Sequence, residues 1–471
     1  MYALSAFKPY DIRGIWHDEI DEKFGRVMGY ALGLHLIQKH GAPKILISSD
    51  VREANTPFID EFLRGMKTAG IHEVTIIGQG PTLDKYVYGV CSTPMAYYAA
   101  IDTFDCACIF TASHNPSEYV GIKIVDNKCL SIKSHDLRNM FEAHEQDVIE
   151  GDTIPEMKTY SDIRITSLIS DLKGKFQTLK KIPKITIDYS HGAASHFEQS
   201  FLREILGENA VHIFTTPDGS FPAHDTDTSR FKSYEPLIAE VQKNGSDFGF
   251  IFDGDADRFG MVIPDGTVVT GDLLLTIVAR ELLTDGTAER LGSKEVFHEV
   301  CCGRIVGDIV KKFGGNVHIT QVGRESFVRQ VIEENGLVAG EVSTHLLFKE
   351  YGTIEMPLAG LYYILKALEK YNNSSEMIRE LDVYARGQIF QFKTEKKEEI
   401  IEALKEKYKT YEQITIDGVR VEATDFWFTV RKSNTEPLLK LSIEAKNREI
   451  YNTLLEEMRQ FFISYGAVEK L

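Results

Sequence analysis

Phe248-Gly-Phe-Ile-Phe252 runs straight into Asp253-Gly-Asp-Ala-Asp-Arg258, and this stretch decides how the rest of the chain is read. An apolar run of this length, bounded by polar turn formers, reads as a buried strand of an α/β sheet. Three carboxylates at alternate positions just after it repel one another, a costly arrangement unless a cation sits among them. Oxygen ligands select a hard divalent ion, and Mg²⁺ suits a few carboxylates plus a phosphate oxygen. Gly254 and Ala256 let the backbone wrap tightly, and Arg258 supplies a planar fork of donors for a phosphate or carboxylate. A solvated acidic turn is the ordinary reading of a lone D-x-D. The glycine, the arginine and the apolar strand in front argue against it here, and the spacing is not that of an EF-hand loop.

Outward from this stretch, strand-like and helix-like segments alternate. Upstream they fall at 44–49, 57–70, 73–77 and 105–110; a second cycle runs through 184–188, 193–206, 211–214, 234–244 and 247–252; a third follows at 273–283, 295–299, 304–313 and 316–320. Alternation of this kind predicts βα units on largely parallel, buried sheets, here as three similar α/β domains. Beyond the polar break at 371–376 the character changes. A charged helix at 395–409 precedes strands at 412–416, 419–423, 426–431 and 437–445 and a closing helix at 448–462, a pattern for a C-terminal α+β module. The expected domains are 1–150, 151–265, 266–372 and 373–471.

The composition sets limits. With 471 residues, a formal net charge of −17 and no Lys/Arg run, the chain repels nucleic acid and anionic membranes. No segment approaches the roughly 18 consecutive apolar residues that a membrane span requires. The N-terminus MYALSAFKPYDIRG does not read as a signal peptide, so the expected address is the cytoplasm. The six cysteines form no C-x-x-C pair and read as reduced thiols rather than zinc ligands. Monomer and homodimer are both open.

Three further motifs carry chemistry. Thr111-Ala-Ser-His-Asn-Pro116 follows the apolar stretch 105–110, at the carboxyl end where open α/β sheets bind ligands. Ser113 there is a candidate nucleophile, His114 and Asn115 can bind phosphate oxygens, and Lys123 sits among apolar neighbours where a lysine could lose its charge and act as a base. There is no G-x-S-x-G elbow to suggest a hydrolase triad. In Gly340-Glu-Val-Ser-Thr-His345, Glu341, Ser343 and His345 would share one side if extended and could hydrogen-bond sugar hydroxyls. Arg431-Lys-Ser-Asn-Thr-Glu436, between two strands, offers Arg431, Ser433, Asn434 and Thr435 as a phosphate clamp without reactive groups.

Taken in order, with Lys8-Pro-Tyr-Asp-Ile-Arg-Gly14 at the start, these motifs resemble the α-D-phosphohexomutase superfamily, most closely the bacterial phosphomannomutase/phosphoglucomutase group, over nearly the whole chain. The resemblance implies four domains around a central cleft, each giving one loop. It implies Ser113 as the phosphoryl carrier, and Mg²⁺ held by Asp253, Asp255, Asp257 and a phosphoserine oxygen on Ser113. Arg13 and Lys123 would lie beside the phosphoserine, Lys123 as a general acid/base and His345 as a second candidate for proton transfer, with His114 and Arg258 in the catalytic phosphate region. Tyr10, Glu341 and Ser343 would contact the sugar, and Arg431, Ser433, Asn434 and Thr435 would hold the non-reacting phosphate. The reaction implied is reversible transfer between the 1- and 6-positions of a mannose or glucose phosphate, with hexose 1,6-bisphosphate as intermediate and activator.

Two departures from the family pattern concern the sugar. Gln321-Val-Gly-Arg-Glu325 has Arg324 where a His is common, and Cys301 stands where a Lys is common. Arg324 is expected to replace the missing charge. The alternatives are a mutase for another sugar phosphate such as glucosamine phosphate, a phosphatase, and a catalytically silent sugar-phosphate sensor.

Overall fold

The computed structural model describes residues 4–78, 86–161, 163–433 and 437–470. The chain forms two compact units, Met1–Thr270 with Ser343–Ser375, and Gly271–Val342 with Glu376–Leu471.

In the first unit a six-stranded mixed sheet has the order Ile12–Ile15, Tyr119–Asp126, Cys106–Phe110, Ile45–Ser49, Glu73–Ile76, Glu156–Thr159. Tyr119–Asp126 runs antiparallel to both neighbours, and the last four strands are mutually parallel. Ile45–Ser49 and Cys106–Phe110 are buried at every residue, as strands between two covering layers are. Phe24, Phe58, Phe62, Phe110 and Phe141 fill the core beside them, each contributing about 1.5–3 kcal/mol of burial. Helices Glu22–His40 and Asn55–Ala69 cross so closely that a Cβ on Gly29 would stand 1.9 Å from the Phe62 carbonyl oxygen.

The same unit holds a five-stranded sheet ordered Val268–Val269, Phe259–Val262, Phe248–Phe252, Ile185–Asp188, Ala210–Ile213. Phe248–Phe252 is central and wholly buried, parallel to Ile185–Asp188 and antiparallel to Phe259–Val262. Because Phe252 pairs with Phe259, the six residues between them form the turn of a buried hairpin. Residues 193–206, expected as one helix, instead form a 3₁₀ turn, Ala193–Ser195, and a helix, Phe197–Leu206, separated by His196 at φ −112°, ψ −85°. Leu346–Phe348 and Ile354–Glu355 make a short antiparallel pair ahead of helix Pro357–Leu368.

In the second unit, Glu295–Glu299 lies between Asn316–Thr320 and Val338–Gly340, all parallel. Its C-terminal sheet is antiparallel throughout, ordered Glu412–Ile414, Val419–Glu422, Phe426–Lys432, Leu438–Ala445, Phe390–Lys393, Val468–Lys470, with Ala385–Arg386 also on Leu438–Ala445. Helices Lys397–Lys407 and Arg448–Ser464 bury Ile400, Leu404, Leu454 and Met458 in one cluster with it, the α+β arrangement. All six cysteines are buried and free. Among the described residues, no helix is long and apolar enough to cross a membrane.

Candidate active site

Strand Cys106–Phe110 delivers residues 111–116 at its carboxyl end, and the chain returns along Tyr119–Asp126. Ser113 is 1% exposed and adopts φ 54°, a left-handed conformation costing a non-glycine residue about 1 kcal/mol or more. Its surroundings impose that shape. Thr111 Oγ1 accepts the Ser113 N–H at 2.8 Å. The buried Arg52 guanidinium donates to the carbonyls of Ser113 and Tyr119 at 3.0 Å and of Asn115 and Pro116 at 2.5 Å. Asp50 accepts from Arg52 Nε at 3.2 Å and from Asn55 Nδ2 at 2.8 Å, so the buried ion pair is enclosed in hydrogen bonds. Ser113 Oγ lies 3.1 Å from His114 Nδ1. Burial, with the Arg258 and Arg13 cations, holds the His114 pKa well below the imidazole range, leaving a neutral ring beside the hydroxyl.

Arg13, on strand Ile12–Ile15, lies opposite Gly121. It donates to Asp11 at 2.8 Å and reaches the Ala112 carbonyl at 3.4 Å, so it runs along the serine loop. Tyr10 is half-buried on the bend just before that strand.

Asp253, Asp255 and Asp257 are at most 1% exposed and offer one carboxylate oxygen each, all within 4.8 Å of one another. Lys123 Nζ donates to Oδ2 of Asp255 and of Asp257 at 2.6 Å, and Thr93 Oγ1 donates to Asp255 Oδ2 at 2.5 Å. The opposite oxygens, Asp255 Oδ1 and Asp257 Oδ1, are buried without a hydrogen-bond partner, as is Asp253 Oδ2. Burial, then repulsion from Asp257 and Asp255, raises the Asp253 pKa well above the carboxylate range; at Asp257, Lys123, His345 and Arg258 overcome burial and drive it well below. Orphaned buried carboxylate oxygens converging on one point are what a hard divalent cation satisfies, so the residues present fit a metal. Lys123 departs from the expected neutral lysine. Burial alone would lower its pKa, but the two aspartates outweigh burial and raise it, so it is a charged donor here.

The two loops touch. A Cβ on Gly254 would stand 2.6 Å from the Ser113 carbonyl oxygen, and one on Gly192 would stand 2.5 Å from the Gly254 carbonyl oxygen. Ala256, at φ 60°, closes the aspartate turn, with its N–H on the Asp253 carbonyl.

Glu341, Ser343 and His345 do not alternate along an extended strand: residues 342–343 form a turn and Thr344 takes φ 71°. The turn sends His345 back to a bridge with Arg258, whose Nε donates to His345 Nε2 at 2.8 Å. His345 Nδ1 stands 3.5 Å from Glu355 and 3.8 Å from Asp257. The first unit thus brings Ser113, His114, Arg13, Lys123, Arg258, His345 and the three aspartates together; Ser343 is half-buried in the same unit.

The second unit carries Arg324, Glu341, Arg431 and Ser433. Arg324 opens helix Arg324–Glu333 rather than sitting in a loop, Glu341 is 6% exposed, Ser433 is buried, and Arg431 Nη1 lies 3.9 Å from Asp417. Asn434 and Thr435 lie outside the described residues. Cys301 is buried, and burial with the Glu299 charge pushes its thiol up to about 12, too high for a thiolate nucleophile at neutral pH.

Residues 4–147, 166–266 and 270–384 match the phosphoglucomutase/phosphomannomutase alpha/beta/alpha domains I, II and III, and residues 390–461 match the C-terminal domain of that family. The phosphomannomutase of Methanocaldococcus jannaschii is 33% identical over 470 residues, covering 98% of this chain and 99% of the relative. The chain belongs to the phosphoglucomutase/phosphomannomutase family. A phosphomannomutase/phosphoglucomutase of Pseudomonas putida is 29% identical, covering 94% and 92% of the two chains. The crystal structure of a phosphoglucomutase/phosphomannomutase family protein from Burkholderia thailandensis superposes with a TM-score of 0.84 at 25% identity and 98% coverage of both chains. The four-domain α/β architecture with mixed sheets is that of this family.

Several residues that build the site in this family member carry no motif of their own. Asp50 and Arg52 had one usable signal, two charged residues just after a short strand that begins with an apolar run, a context like that of Asp253. Thr93 follows Ser92, which caps helix Thr93–Ala100, and a helix start is a natural seat for the Asp255 carboxylate. Glu355 had no signal at all.

Proposed function

We propose that this chain moves a phosphoryl group reversibly between the 1- and 6-positions of glucose or mannose phosphate, through phosphorylated Ser113 and a hexose 1,6-bisphosphate. The observation that carries the reading is the strained, buried Ser113 loop laid against a triad of aspartates with orphaned oxygens. The relatives' names, phosphomannomutase and phosphoglucomutase, support the same substrates.

Asp253, Asp255 and Asp257, with an oxygen of phosphorylated Ser113, would hold Mg²⁺, which supplies neutralising charge for the transferring group. Phosphoryl transfer needs placement and charge more than covalent assistance. Arg13 and Arg258 contribute fixed positive charge, and neutral His114 positions the Ser113 oxygen. His345 takes the proton of the attacking sugar hydroxyl at Nε2, the hydroxyl displacing the Arg258 Nε–H that this nitrogen otherwise accepts. The phosphorus–oxygen bond to Ser113 breaks as the bond to the sugar oxygen forms, and Lys123 donates on the Ser113 side. After the bisphosphate reverses, its other phosphate returns to Ser113. Tyr10, Ser343, Glu341 and Arg324 contact the sugar, and Arg431 and Ser433, with Asn434 and Thr435, hold the non-reacting phosphate. The four segments 1–150, 151–265, 266–372 and 373–471 each contribute one loop. The reading carries with it a cytoplasmic location and hexose 1,6-bisphosphate as activator.

Phosphorus NMR with glucose 1-phosphate or mannose 1-phosphate, Mg²⁺ and trace hexose 1,6-bisphosphate tests it. The 6-phosphate resonance grows, and Ser113→Ala abolishes that growth. Release of inorganic phosphate without isomerised sugar would instead make the chain a phosphatase.

A further inference from the structure

Glu299 closes strand Glu295–Glu299 and is 3% exposed. One of its carboxyl oxygens, Oε1, accepts the Val342 N–H at 2.9 Å. Val342 follows Glu341, the carboxylate of the sugar loop, itself 6% exposed. From the other side the same backbone is pressed onto Gly271 at the start of helix Gly271–Thr284. A Cβ there would meet the Glu341 carbonyl oxygen at 2.3 Å and the Val342 carbonyl oxygen at 2.8 Å. The Glu341–Val342 peptide is therefore clamped between a glycine that admits it and a buried carboxyl that ties it down.

We infer that Glu299 is a positioning residue of the sugar loop, working in its neutral form: it fixes Val342, and through Val342 the direction in which Glu341 presents its carboxylate to the substrate hydroxyls. The inference rests on the reading of Glu341 as a sugar contact. Two buried carboxyl groups so close cannot both carry charge cheaply. Among the described residues, the charged and titratable groups around Glu299 include Glu341 on the loop it anchors, Arg431 at the end of strand Phe426–Lys432, Asp417 in the turn before Val419–Glu422, Cys301 and Cys302 on the loop that follows it, Arg420 of Val419–Glu422, which donates to the Val300 and Cys302 carbonyls, and His298 beside it on its own strand. Cys301, two residues on, has a buried thiol that brings no cation to the pair. Burial and the Glu341 charge accordingly raise the Glu299 pKa to about 8, against a partial opposing pull from the Val342 N–H and Arg431. Below that pH the carboxyl is neutral and its carbonyl oxygen holds Val342. Above it Glu299 ionises, repels Glu341, and the loop loses its set direction.

The test is the pH dependence of KM and kcat separately for wild type, Glu299→Gln and Glu299→Ala. Wild-type KM rises above about pH 8 while kcat changes less. Glu299→Gln, which keeps a neutral acceptor of the same shape, holds KM flat to pH 9 with kcat within about twofold of wild type. Glu299→Ala has a KM about tenfold above that of wild type below pH 8, the scale of one lost buried hydrogen bond, and shows no alkaline rise of its own. A Glu299→Gln enzyme with the wild-type alkaline rise, or a folded Glu299→Ala enzyme with unchanged KM, overturns the inference. If the wild type isomerises no hexose phosphate, the functional reading fails on its own. Calorimetric Kd values for glucose 1-phosphate across the same pH range then decide: an alkaline weakening that is absent in Glu299→Gln supports the inference, and its persistence in that variant overturns it.

Discussion

Ser113 illustrates how one residue's conformation is bought from its surroundings: a left-handed serine persists because Arg52 gathers three carbonyls of its loop and that of Tyr119, and Thr111 takes its N–H. A second buried group shows how a single proton enters stability. Glu198 is wholly enclosed, accepts from Ser92 Oγ at 2.5 Å and leaves Oε2 without a partner. Burial, opposed by the Ser92 hydrogen bond, raises its pKa to about 7. The folded protein therefore holds this proton more tightly than the unfolded chain, and stability present below the ordinary carboxylate range is lost as pH rises towards 7. Glu198→Gln removes that loss. Denaturant unfolding should show the variant gaining on wild type between about pH 4.5 and 7, by up to roughly 3 kcal/mol, and levelling off above. An advantage independent of pH would show that the Glu198 proton is not the cause.

At the scale of elements, the site is a set of turns at strand ends held by backbone contacts. The aspartate turn presses Gly254 onto the Ser113 carbonyl, so Gly254→Ala must push the two loops apart. It should cut kcat by about a hundredfold, the order expected for a displacement near 1 Å, with the circular dichroism of a folded protein and a Tm lowered by an overpacking cost of about 1–3 kcal/mol. Unchanged turnover would mean that the loops need not touch. This scale also shows what the sequence could and could not reveal. Phe248–Phe252 was legible because an unbroken run without a polar side chain, bounded by turn formers, is the pattern of a strand buried on both faces, and the same holds for Cys106–Phe110. The alternating Glu341, Ser343 and His345 were misleading: period two suggests an extended strand, but Thr344 at φ 71° turns the chain and sends His345 to Arg258. Arg52 was not legible either, because its partners lie more than 60 residues away and the pairing of strands that brings them together has no local signature.

For the whole molecule, the net charge of −17 includes three buried carboxylates, Asp253, Asp255 and Asp257, grouped so that one cation would touch all of them. If Mg²⁺ binds the folded state alone, mass action stabilises the chain by about 2.7 kcal/mol at a hundredfold excess over Kd. Calorimetry should show Tm rising with Mg²⁺ in wild type and not in Asp255→Asn; an equal rise in both would place the ion elsewhere. The proposed reaction stands or falls on the covalent role of Ser113. The most direct measurement is tandem mass spectrometry of the protein after incubation with glucose 1,6-bisphosphate and Mg²⁺, before and after a chase with excess glucose 6-phosphate. The account predicts one phosphoryl group, localised to Ser113 and removed by the chase; a protein that stays unmodified while it isomerises sugar phosphate, or a phosphoryl group on another residue that the chase removes, would contradict it.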